Sequence, residues 1–180
     1  MDRPQKPTRY ATFLRGVNVG GVTLKMAAVA RAFEAAGFTE VKTILASGNV
    51  LLTSAADEAA VRAGAEQALR DEFNYPAWVL VYELEAVAAI SAAYPFERSV
   101  DGHHSYVTFV SDEDVLSELS ELARQPGPGE KIARGEGVVY WQVPRSETLR
   151  SAMGRTMDKK RYKSSTTTRN LRTIDKVLRG

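Results

Sequence analysis

Between residues 10 and 82 the segments follow one order: strand, helix, strand, strand, helix, strand. Few folds accept that order. Residues 10–15 (Tyr-Ala-Thr-Phe-Leu-Arg) form a short apolar run bounded by glycine, as a buried strand does. Residues 24–36 place Met26, Val29, Phe33 and Ala36 on one helical stripe, and Gly37 stands where a left-handed residue ends a helix. Residues 41–46 and 50–54 read as two strands joined at Ser47-Gly48-Asn49, a spacing that suits a tight hairpin. Residues 57–73 predict a second helix with Val61, Ala65, Ala68 and Leu69 facing inward, and residues 77–82 a fourth strand. This is the ferredoxin-like split βαβ pattern, an antiparallel sheet with two helices on one face. A further helix over 84–93 stops before Pro95.

The second half repeats the order without detectable identity. Residues 105–110 alternate as a strand. Ser111-Asp112-Glu113-Asp114 has the form of a capping box ahead of Val115, Leu116, Leu119 and Leu122. Residues 125–129 (Gln-Pro-Gly-Pro-Gly) break that helix. Residues 131–133 and 138–143 read as a hairpin, 148–153 as a helix, 164–167 as a short β-branched strand and 170–178 as a last helix. The expected fold class is therefore α+β: two ferredoxin-like modules with antiparallel sheets, the second diverged and carrying an extra C-terminal helix. The expected modules are residues 1–97 and 98–180, with the boundary in the region of 95–103.

Composition limits the chemistry. A chain of 180 residues with 44% hydrophobic and 26% charged side chains builds a folded core. Cysteine is absent, which removes disulfides, thiolate nucleophiles and cysteine zinc sites. The N-terminus (Met1-Asp2-Arg3-Pro4-Gln5-Lys6-Pro7) has no apolar run behind its basic residues, so it does not read as a signal peptide. No stretch approaches the roughly 18 apolar residues of a membrane span. We therefore expect a cytoplasmic location. Charge is uneven: residues 145–180 hold eleven Lys/Arg against Glu147, Asp158 and Asp175, a net +8 in a chain of net +2, leaving −6 on the rest. That asymmetry fits either an anionic partner for the C-terminal segment or a basic surface balanced by the acidic body.

Three blocks carry a family resemblance: Phe13-Leu14-Arg15-Gly16-Val17-Asn18-Val19-Gly20-Gly21, residues 46–54 (Ala-Ser-Gly-Asn-Val-Leu-Leu-Thr-Ser), and Thr167-Thr168-Arg169-Asn170-Leu171. Their order and spacing resemble the DUF1697 family. Leu171 stands where the resemblance leads one to expect a large aromatic. The resemblance implies two α/β-plait modules. It implies no reaction and no catalytic residue.

The same blocks hold the candidate ligand-binding residues: Arg15, Asn18, Gly20, Gly21, Lys25, Ser47, Asn49, Arg155, Arg169 and Asn170. In a split βαβ module the first and second strands run parallel, so both end at one edge, where the first helix begins with its positive dipole end. Gly16, Gly20 and Gly21 lie between a strand and a helix, a setting in which backbone N–H groups cradle anions, although neither a dinucleotide nor a Walker pattern is present. The plainer reading is a loop that needs positive φ at its glycines. Thr167-Thr168-Arg169-Asn170 is expected to open the last helix, where a cation opposes the dipole unless an anion lies near. We therefore expect Arg169, and with it Arg155, to face the Gly-rich loop and the Ser-Gly-Asn turn around a phosphate or carboxylate. His103-His104 reads as an exposed turn in the linker. Ser47 has no histidine or cysteine partner in motif context.

Three function classes follow: binding of a small anionic ligand, nucleic-acid binding through the basic C-terminal segment, and a protein-interaction scaffold. The nucleic-acid class lacks aromatics on the third strand, 49–54, where RNA-binding sheets of this type carry them. The sequence specifies no cofactor, metal, reaction or oligomeric state.

Overall fold

The computed structural model describes residues 5–15, 23–74 and 76–180. The first half contains β1 (Thr8–Arg15), α1 (Met26–Ala35), β2 (Thr39–Ile44), β3 (Asn49–Ser54), α2 (Glu58–Phe73) and β4 (Trp78–Glu83). Its sheet has the order β2-β3-β1-β4, and every neighbouring pair is antiparallel. Alternation along the strands sends Tyr10, Leu14, Val50, Leu52, Val79 and Val81 to one face, where Val29 and Phe33 of α1 and Val61, Ala65 and Leu69 of α2 cover them. Asp57 caps α2 by accepting the Ala60 N–H at 2.8 Å. Asn74, in the left-handed region, ends that helix.

After α3 (Leu84–Ala92) the pattern recurs as β5 (His103–Val110), α4 (Glu113–Ser120), β6 (Lys131–Arg134), β7 (Val138–Pro144), α5 (Ala152–Met157), β8 (Thr166–Asn170) and the additional α6 (Leu171–Arg179). The sheet order β6-β7-β5-β8 is the first sheet's order over again, and it too is antiparallel. Leu116 and Leu119 of α4, Met153 of α5 and Tyr162 pack on Val110, Val139, Trp141 and Val143. Trp141 Nε1 donates to Thr108 Oγ1 at 3.0 Å, and that hydroxyl is 2.8 Å from Thr168 Oγ1, so the indole is satisfied across three strands. The protein is thus an α+β chain of two ferredoxin-like modules.

Two compact units result: the chain through Val87 together with Lys176–Gly180, and Ala88–Asp175. Within the first unit Lys42 Nζ donates to the Gly180 carbonyl at 2.7 Å, at the end of α6.

Several expectations are corrected. Thr167-Thr168-Arg169-Asn170 does not open a helix. Its β-branched threonines pair with β5, Phe109 opposite Thr167 and Val107 opposite Arg169, and the helix begins only at Leu171. The strand therefore spans Thr166–Asn170 rather than 164–167. His103 and His104 are the first residues of β5, not a turn, because Pro144 and Val143 of β7 pair with them. The cap of α4 is Asp112, which accepts the Val115 N–H at 3.0 Å, while the Ser111 N–H is bound to the Ser165 carbonyl at 2.8 Å. Residues 148–153 are not one helix; Ser151 caps α5, which starts at Ala152.

Candidate functional site

In the first unit the edge expected to gather polar groups is built from β1, the β2–β3 turn and the start of α1. The Leu14 N–H donates to the Gly48 carbonyl at 2.8 Å, which ties the end of β1 to the turn. Gly48 has φ +88° and Leu45 has φ +60°, so the four-residue connection needs two left-handed residues. Arg15 and Asn49 both lie on the face opposite α1 and α2: Asn49 pairs with Phe13, two residues before Arg15, and Arg15 pairs with Trp78. α1 turns directly into the start of β2, so it runs back along that strand and begins at the edge where β1 and β2 end.

Asn49 and Ser47 do meet, but largely to close the hairpin. The buried Asn49 Nδ2 donates to the Ile44 carbonyl at 2.8 Å and to Ser47 Oγ at 2.9 Å. Lys25 is the N-cap residue of α1 and is exposed. Its side chain caps nothing, while its carbonyl accepts the Ala28 N–H at 2.9 Å. No acidic residue stands in the first turn of α1. By contrast Glu58 stands in the first turn of α2, and Glu113 and Asp114 in that of α4. Asn18, Gly20 and Gly21 lie outside the described residues.

The other three candidates belong to the second unit. Arg169 is 8% exposed, on the sheet face opposite α4 and α5, and donates to Thr167 Oγ1 at 2.7 Å and the Thr168 carbonyl at 2.9 Å. Being a strand residue, it opposes no helix dipole, and no anion is called for beside it on that ground. Asn170 ends β8 and accepts the Arg172 N–H at 2.9 Å, which starts α6. Arg155 sits exposed in the last turn of α5, where a cation suits the helix dipole.

Two features have no local signature in the sequence. Leu45 is 45% exposed on the hairpin with a backbone conformation that leucine rarely adopts. His104 is half-buried on β5 with its ring 5.4 Å from that of Tyr106. Its imidazole pKa is held below 6.5 first by burial and then by the charges of Arg145 and Arg172. Among the described residues no group of His, Asp and Glu side chains is arranged to hold a metal, and no helix is long and apolar enough to cross a membrane.

Fold and site together define a protein of two ferredoxin-like modules with cationic groups at sheet edges. Residues 8–140 match the model of the family described as "Protein of unknown function (DUF1697)", and the chain belongs to that family. It is similar over 97% of its length to 98% of the solved structure of the conserved bacterial protein SP0830 from Streptococcus pneumoniae, with a TM-score of 0.80 at 22% identity. That likeness is one of fold. A second solved structure, an unknown protein from Galdieria sulphuraria, overlaps 97% of this chain and 89% of its own at a TM-score of only 0.28 and 8% identity. No curated protein matches the chain.

Proposed function

We propose that the protein binds a small anionic ligand, phosphate-bearing or carboxylate, at the first unit's edge, in the cytoplasm. The observation that carries this reading is the start of α1. It has no side-chain cap and no acid in its first turn, it carries Lys25, and it begins where β1 ends at Arg15 and the Ser47–Asn49 turn closes. The free N–H groups of a helix's first turn and its dipole favour negative charge at such a place. Asn18, Gly20 and Gly21 join the proposed site by sequence, as the glycine-rich segment between β1 and α1. Asn49 serves the turn's shape, and Arg15 and Lys25 supply the charge.

The test is a thermal-shift panel of phosphorylated and carboxylated metabolites on wild-type protein, Lys25→Ala and Arg15→Ala. A ligand that stabilises wild type and loses at least about tenfold in affinity in either variant supports the reading. A panel that stabilises nothing, or a ligand indifferent to both variants, removes it. The exposed Arg150, Arg155, Lys159 and Lys160 of the basic segment favour nucleic acid as a second reading. Strong salt-dependent retardation of labelled RNA or DNA would support it.

A further inference from the structure

A cleft of about 250 Å³ opens in the second unit where the ends of β7 and β8 meet the start of β5. Its polar chemistry comes from Arg98, His104, Arg145, Asn170, Arg172 and Thr173. Four separate stretches of chain bring these side chains together, which is how a built site differs from a run of surface charge. Arg98 is already neutralised: its guanidinium is 2.7 Å from Asp175 Oδ1 and donates to the Ser91 carbonyl at 2.7 Å. Arg145 and Arg172 are different. Neither guanidinium has a carboxylate partner among the described residues, and both act on the same half-buried imidazole of His104. Cations gathered around one concavity repel one another until an anion joins them.

We propose that this cleft binds a phosphate-bearing small molecule, with its phosphoryl oxygens held by the Arg145 and Arg172 guanidinium groups and further donors from His104 and Thr173. Guanidinium forks match the several oxygens of a phosphoryl group and bind them bidentately. Two such forks, an imidazole and a hydroxyl exceed what the two oxygens of one carboxylate can accept. Drug-sized ligands occupy roughly 300–1,000 Å³, so this cleft suits something smaller, on the scale of a simple phosphate monoester. A polynucleotide would need a continuous basic track, and the Arg98 wall is closed by Asp175. Every one of these residues lies within Ala88–Asp175, and none belongs to the first unit's edge.

The experiment uses the full chain at low ionic strength and fixed pH. Inorganic phosphate and phenyl phosphate are titrated in while the His104 imidazole resonances are followed by NMR. Both should shift them saturably. The Arg145→Gln/Arg172→Gln double variant, altered at two exposed positions, should melt as wild type without phosphate and bind phosphate at least about tenfold more weakly. In Lys25→Ala the phosphate concentration at which the His104 resonances shift should stay as in wild type, whatever that variant loses at the first unit's site, so the two sites are read apart. No saturable His104 shift in the wild type, a result needing no variant, would overturn the proposal. So would unchanged phosphate affinity in the double variant, or an RNA oligonucleotide that binds through these arginines while neither small phosphate does.

Discussion

Glu130 and Ala152 are joined by a buried hydrogen bond, the Ala152 N–H donating to Glu130 Oε1 at 2.9 Å. The same oxygen accepts the Gly127 N–H at 2.8 Å, and Oε2 accepts the Met153 N–H at 3.2 Å. One carboxylate therefore shapes the turn before β6 and satisfies the start of α5, a helix too short to hold itself. Glu130→Gln would set an NH₂ group against a backbone N–H. We expect a loss of roughly 1–3 kcal/mol, read from urea denaturation midpoints, with the slope of the transition unchanged.

Gly154 lies inside α5, where any side chain is excluded. A Cβ there would come within 2.0 Å of the Thr148 carbonyl oxygen and 2.8 Å of Ser151 Oγ, the atom that caps the helix. Gly154→Ala, which raises helix propensity elsewhere, should here destabilise by about 1–3 kcal/mol. Calorimetry that shows an unchanged or higher Tm would contradict the crowding.

Leu45 offers the opposite test. Its φ of +60° favours asparagine, and its exposure means little burial is lost on substitution. Leu45→Asn should stabilise the first unit by up to about 1 kcal/mol, measured by chemical denaturation. A loss of stability would show that the leucine side chain contributes more than its backbone costs.

His104 should titrate with a midpoint below 6.5, held down by burial and then by Arg145 and Arg172. The lowered folded-state value means that the unfolded chain binds this proton first as pH falls. The stability linked to His104 is therefore complete above pH 6.5 and is lost as pH drops through the folded-state midpoint. His104→Gln should flatten that part of the stability–pH curve. Arg172→Ala should raise the midpoint toward 6.5, as NMR titration of the ring would show.

The sequence alone determined the order of elements. Strand and helix periods are local: residues 57–73 repeat apolar groups at helical spacing, and Val50, Leu51 and Leu52 demand burial wherever they sit. The split βαβ pattern then leaves one sheet order open to both halves, and both adopt it. Boundaries also followed where the signal was one residue deep, as at Asp57 and Gly37.

Tertiary structure decided the rest, because pairing energy outweighs local preference. Arg169 and Asn170 suit a helix start or a strand end about equally until β5 offers partners on one side. His103 and His104 read as linker until β7 extends beside them. Asn49 has the same side chain whether it binds a ligand or its own turn, and only the 2.8 Å bond to the Ile44 carbonyl separates the two. Arg98, His104, Arg145 and Arg172 share no spacing that marks them as a group. Their meeting depends on strand register, and register is set by which face of their sheet must be buried, a property of the folded whole rather than of any short segment.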